Sequence, residues 1–230
     1  MSTMNIPMPR EQLERLVRQV VRERLMRGDA AAGPDGYEPN LVVNVSARHM
    51  HVTQAHLEKL FGPGSQLTVY RWLYQPGEFA AEQTVSVIGP RRRVIDRVRI
   101  LGPVREYSQI ELSATDGIAL GVDLPLRRSG DIEGTPGAVV MGPAGVVELD
   151  HGLIRAERHV HMGPTDAAHY GFRDGQYVSL RVANGATTTF ENILCRVDPK
   201  FLLEVHLDTD EGNACDLPNA SAVELLNGRQ

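Results

Sequence analysis

Two stretches of this chain are copies of one pattern, and that duplication limits its fold more than any other feature. Residues 47–62, ARHMHVTQAHLEKLFG, run parallel to residues 157–172, ERHVHMGPTDAAHYGF. Each has Arg-His-x-His, then a hydrophobic residue, then a helix start. Thr53 suits the first helix as a cap, and Gly163-Pro164 supplies a cap and a first-turn proline for the second. The copies run on into GSQLTV and DGQYVSL with one small offset. Two related units facing each other would bring both His-x-His pairs to a shared interface.

The rest of the body reads as strands. LVVNVS (41–46), QLTVYRWLY (66–74), TVSVIG (84–89), DRVRILG (96–102), AVVMG (138–142), YVSLRVA (177–183) and FLLEVHLD (201–208) are short β-rich runs. Gly/Pro/Asp turns such as GPGS, QPGE, GPAG and ANGA separate them. This spacing predicts a mainly β protein built as barrels or sandwiches, not from βαβ units. Only two short helices are expected in this body, one after each His pair.

Residues 9–27 differ from everything after them. Leu13, Leu16, Val17, Val20, Val21 and Leu25 recur at helical spacing among Arg and Glu, which predicts an amphipathic helix. Pro9 suits its first turn and Gly28 its end. Residues 29–39, DAAAGPDGYEP, have linker composition. A helix set apart in this way docks elsewhere, on its own body, on a dimer mate or on another partner. Glu11, Glu14 and Glu23 argue against a mitochondrial presequence.

Bulk properties narrow the function. A formal net charge of −5 is opposite to that of a general nucleic-acid binder, and no apolar run approaches the ~20 residues that span a bilayer. Cys195 and Cys215 form no CxxC motif, which fits a reducing cytosolic compartment.

Residues i and i+2 of an extended strand point to one face, so each His-x-His offers two imidazoles to one point. The middle residues, Met50 and Val160, turn to the core. Two such pairs suit two borderline ions such as Zn²⁺. Four imidazoles leave charge and coordination incomplete, and Glu111 and His206 are candidates to complete them. One His-x-His in a strand is more often structural, but two in matched contexts are not easily dismissed. The run GPRRRVIDRVRILGPVR (89–105) adds arginines, whose planar forks suit phosphate. Some of them, among Arg93, Arg97 and Arg99, are also explained as a solvated strand face. Nothing resembles a P-loop or GxGxxG.

With these residues in view, the chain resembles the phosphate propanoyltransferases, the PduL-type phosphotransacylases of bacterial microcompartments. The likeness covers residues from about 40 to 226 and rests on VNVSARHMHVT, VRILGPVREYSQIELSATDG, LRRSGDIEGTPG, GLIRAERHVHMGPTDA and EVHLDTDEGNA. The resemblance implies two β-barrel domains with short capping helices around a dinuclear zinc site. Residues 40–47 and 155–226 would form one barrel, and 48–154 the other, with 1–28 a targeting helix and 29–39 a linker. It implies exchange of acyl-CoA plus phosphate with acyl phosphate plus CoA. His49, His51 and Glu111 would bind one zinc, His159, His161 and His206 the other, and Arg105 the phosphate, as the catalytic arginine. Val45, Ser46, Ala47, Arg92, Arg99 and Asn213 would contact CoA. The N-terminal helix is similar to encapsulation peptides, which implies the lumen of a bacterial microcompartment, with shell or core as partner. A homodimer is the family expectation, and the N-terminal helix could drive a higher homo-oligomer.

Two other readings of the residues stand beside this one, a metal-dependent hydrolase and a non-catalytic zinc-binding module.

Overall fold

The structure, a computed structural model, describes residues 36–228. The expected helix at 9–27 and residues 29–35 of the expected linker lie outside the described residues. The body is mainly β, as expected, and its strands form two curled half-barrel sheets. One has six strands in the order β1 (Val42–Ser46), β14 (Glu204–Asp208), β11 (His159–Met162), β13 (Thr188–Val197), β12 (Tyr177–Ala183) and β15 (Ala222–Asn227). The other has nine, running β7 (Leu126–Arg127), β10 (Leu153–Ala156), β6 (Gln109–Glu111), β2 (His49–His51), β5 (Val94–Gly102), β4 (Phe79–Ile88), β8 (Ala138–Met141) and β9 (Val146–Leu149). Strand β3 (Val69–Trp72) pairs with β4 off this path.

The first described strand does not join its sequence neighbours. β1 lies parallel to β14, with Val42 opposite Glu204 and Ser46 opposite Asp208. The chain then crosses at once to the other sheet, where β2 begins at His49.

Each sheet closes over its own apolar cluster. Met50, Leu57, Ile100, Ile110 and Leu153 belong to one, and Val160, Leu180, Ile193, Val205 and Leu207 to the other. The middle residue of each His-x-His anchors its strand in these cores, since Met50 and Val160 are both fully buried. Strand alternation then turns both flanking imidazoles to the opposite face.

The repeat persists in the strand pairing. β2 lies between β6, antiparallel, and β5, parallel, while β11 lies between β14, antiparallel, and β13, parallel. The expected helices follow both strands, α1 at Gln54–Phe61 and, after α2 (Ala114–Leu120), α3 at Pro164–Tyr170. Thr53 caps α1 through its hydroxyl, which accepts from the His56 amide at 3.1 Å. Gly163 precedes Pro164 at the start of α3, and Asp166 accepts from the Gly163 amide at 3.0 Å. At the other end of α3, Gly171 has φ 68°, a left-handed turn that costs glycine little.

The expectation of only two helices is corrected. α2 follows β6, and a fourth helix, α4 (Thr209–Ala214), follows β14. They are too short for apolar periodicity, and their caps make them. Ser113 and Asp116 form a capping box at α2, and Asp208 and Glu211 form one at α4. These boxes also explain the arginine that opens each repeat. Arg48 pairs with Asp116 at 3.0 Å, and Arg158 with Glu211 at 3.5 Å.

Candidate metal and phosphate site

Two groups of ligand-type side chains stand on the faces that the cores leave free. In the nine-stranded sheet, His49 lies directly opposite Glu111 across β2 and β6, and His51 opposite Gln109. In the six-stranded sheet, His159 lies opposite His206 across β11 and β14, and His161 opposite Glu204. His49, His51 and Glu111 bring one ligand atom each to within 4.8 Å of one another, as do His159, His161 and His206.

Hydrogen bonds fix the first imidazole of each pair. His49 Nδ1 is 2.9 Å from the Ala47 carbonyl, and His159 Nδ1 is 2.8 Å from the Glu157 carbonyl. A carbonyl only accepts, so Nδ1 carries the proton in both rings and Nε2 keeps its lone pair. His49 Nε2 faces Glu111 at 3.5 Å, and His51 Nε2 lies 3.9 Å from the same carboxylate. Gln109 donates to Glu111 at 2.6 Å and is itself held by Ser129 and by the Gly130 amide. Burial raises the Glu111 pKa, but His49, Ser129, His159 and Arg105 together hold it below the usual carboxylate range.

The second group is a cluster of three rings. His206 stacks on His159 with centroids 4.6 Å apart, and His161 lies 4.8 Å from both. Phe201 stacks on His161 at 4.0 Å and walls that side. Burial, then His206, lowers His159 to about 3 and His161 to about 2, with Arg196 adding to both. Both rings are therefore neutral at neutral pH, and protons do not compete for their lone pairs.

These residues fit divalent cations. Both nitrogens of His161 and Nδ1 of His51 are buried without a hydrogen-bond partner. Buried polar atoms are rarely left so, and each such loss is costly. Sets of two His with Glu, and of three His, are those with which catalytic sites hold a borderline ion while leaving a position open.

One cavity joins the groups. Glu111 lines it from one sheet, and Ser46, His159 and His206 from the other. Arg105 makes a small contribution to both, adding to the lowering of His51 and His161 that burial dominates and to that of Glu111 that His49 leads. Its guanidinium pairs with Glu78 at 3.4 Å and reaches the Tyr107 hydroxyl at 3.5 Å. The Arg105 amide donates to the Val52 carbonyl at 2.9 Å, which ties this loop to the end of β2.

The residues expected to contact CoA are more scattered. Val45 is exposed, Ser46 is 3.3 Å from His206, and Ala47 supplies the carbonyl that fixes His49. Arg99 lies beside His49 in register, donates to the Ala81 and Glu82 carbonyls, and sits 4.6 Å from the Tyr70 ring centroid. Arg92 occupies the β4–β5 turn with φ 57°, and Asn213 is exposed on α4. Sequence reasoning passed over Gln75, Glu78, Gln109, Ser129, Arg196 and Glu204. Gln109 and Glu204 carried a readable signal, each standing two residues before an expected ligand on the same strand face.

The family model described as phosphate propanoyltransferase matches residues 42–218, which contain both groups and Arg105. The chain belongs to the phosphate propanoyltransferase family. A phosphate propanoyltransferase of Planctopirus limnophila is 53% identical over 222 residues, covering 94% of this chain and 91% of that protein. One from Lachnoclostridium phytofermentans is 46% identical, covering 94% of this chain and 97% of its own. One from Rhodopseudomonas palustris is 40% identical over 95% and 98%. The chain is thus an enzyme, a phosphotransacylase. Among the described residues no helix is long and apolar enough to cross a membrane.

Proposed function

We propose that this phosphate propanoyltransferase interconverts a short-chain acyl-CoA, propanoyl- or acetyl-CoA, plus phosphate with acyl phosphate plus CoA, using two zinc ions per chain. The observation that carries the reading is the cavity lined by Glu111, His159 and His206, with the charge of Arg105 reaching both groups. His49, His51 and Glu111 hold one ion, and His159, His161 and His206 the other. Bound zinc supplies positive charge that offsets phosphate and favours the thiolate form of CoA.

The chain's own residues do the positioning. Arg105 presents its planar fork to phosphate, and Glu78 sets the angle of that fork before phosphate arrives. A phosphate oxygen attacks the thioester carbonyl carbon, the C–S bond breaks, and CoA leaves as thiolate. No acyl-enzyme is needed. Cys195 and Cys215 are buried, and burial, then Asp174, pushes the Cys195 thiol up to about 12. Ser46 at the cavity rim supports a CoA path past Val45, Ser46 and Ala47, with Arg92, Arg99 and Asn213 farther along it.

CoA release from propanoyl-CoA is the test. Release should require added phosphate, stop on chelation and return with zinc. Release without phosphate would instead mark a hydrolase, and zinc binding without release a non-catalytic module. Residues 1–28 are read as a helix that directs the enzyme, as a homodimer or larger homo-oligomer, into a bacterial microcompartment. A fluorescent protein carrying residues 1–28 should co-purify with shells, and a diffuse cytosolic signal would contradict that assignment.

A further inference from the structure

We propose that Glu204 serves the second ion as the charge-balancing carboxylate that Glu111 provides to the first, acting through His206, and that Gln75 holds it in place from the other sheet. The inference rests on the two-ion reading above.

The strand register carries the argument. On β6 the acid, Glu111, faces the first histidine of its pair, and the amide, Gln109, faces the second. On β14 the acid stands two residues earlier, so His206 faces His159 and Glu204 faces His161. Each half therefore keeps one carboxylate on the face of its His pair. In the first half that carboxylate is among the three ligand-type groups. In the second it stands behind them, with its Oε2 3.3 Å from His206 Nε2.

Glu204 is enclosed among donors. It is only 3% exposed, and both of its oxygens accept from amides, Oε1 from Asn44 at 2.5 Å and Oε2 from Gln75 at 2.6 Å. Those amides are neutral, and no lysine or arginine among the described residues forms an ion pair with it. A carboxylate enclosed by neutral amides is best matched by a positive counterpart, which His206 bearing an ion supplies. With both oxygens committed, the carboxylate orients the ring instead of competing for the metal.

Gln75 makes the arrangement rigid. It lies in the loop between β3 and β4 of the nine-stranded sheet and is 4% exposed. Its oxygen accepts from the Leu202 amide at 3.1 Å, and its Nε2 also donates to the Leu202 carbonyl at 3.0 Å. Three residues on, Glu78 holds Arg105. A single short loop thus orients the phosphate arginine and, through Glu204, a histidine of the second group. Glu204 and Gln75 are positioning residues.

The experiment titrates the metal-free full-length enzyme with zinc against a chromophoric chelator. Wild type should take up two equivalents. Glu204→Gln should keep one at wild-type affinity and bind the other ~10–100-fold more weakly. Gln75→Leu, which leaves the charge in place, should weaken the same equivalent by up to about tenfold. Two equivalents at wild-type affinity in both variants, or equal weakening of both sites, would overturn the proposal while leaving the two-ion reading intact. A wild-type enzyme that takes up fewer than two equivalents overturns that reading, and this proposal with it. Gln75→Leu keeps the test decisive if Glu204→Gln fails to fold.

Discussion

Arg105→Ala is expected to lower turnover by at least ~10²–10³-fold, the cost of removing one preorganised donor from a developing anion, while metal content stays at the wild-type level. The two halves of that expectation have separate causes. Arg105 is anchored by Glu78 and by its own backbone amide, not by any of the six ligand-type side chains, so its loss leaves both groups assembled. Its charge nonetheless adds to the lowering of His51, Glu111 and His161, which agrees with the proposed phosphate position between the two groups. Arg105→Lys should recover only part of the rate, because an ammonium keeps the charge without the paired donors. Steady-state kinetics with phosphate varied, alongside elemental analysis, decide the matter. Wild-type rates in the alanine variant, or loss of zinc from it, would show that Arg105 has been given the wrong role.

The second large effect is expected from replacing His159 and His161 together by alanine. One of two metal equivalents should disappear and the other remain, since the two groups sit on different sheets with separate cores. Charge stabilisation by a catalytic ion is worth several kcal/mol, so the rate should fall by ~10³-fold or more. The buried Val160 between them is left in place, so the strand keeps its anchor in the core. Circular dichroism should therefore remain near wild type. Unchanged metal content on elemental analysis would refute the ligand assignment.

Much of this arrangement was legible in the residues, and the illegible part has a common cause. The His-x-His pairs announce themselves because strand alternation is a local rule, and it sends Met50 and Val160 inward as their neighbours turn out. The longer strands, such as β5 and β12, follow from runs of branched residues. α2 and α4 escaped a search for periodicity, although S-A-T-D and D-T-D-E are capping boxes that a search for helix starts would find. Gln75 had no such signal. Its partners Leu202 and Glu204 are 127 and 129 residues away, and its loop composition reads as an ordinary Pro-Gly turn. The antiparallel facing of His206 with His159 is likewise a fact of sheet order, which spacing within one segment does not encode.

The crossing of β1 has a consequence for how the enzyme comes into being. Asn44 and its cross-strand neighbour His206 meet only after more than half of the chain has been made, for the Asn44–Glu204 contact alone spans 160 residues. During synthesis the nine-stranded part emerges first, while residues 42–46 wait without their partner. A nascent chain stopped before Glu204 would carry His159 and His161 on β11 without the partner strand β14, and so would have neither the third ring of the second group nor the brace behind it. Such long-range closure slows folding. The pairing of β1 and β11 with β14 is therefore the step that assembles the second group, and a chain that ends before it lacks His206.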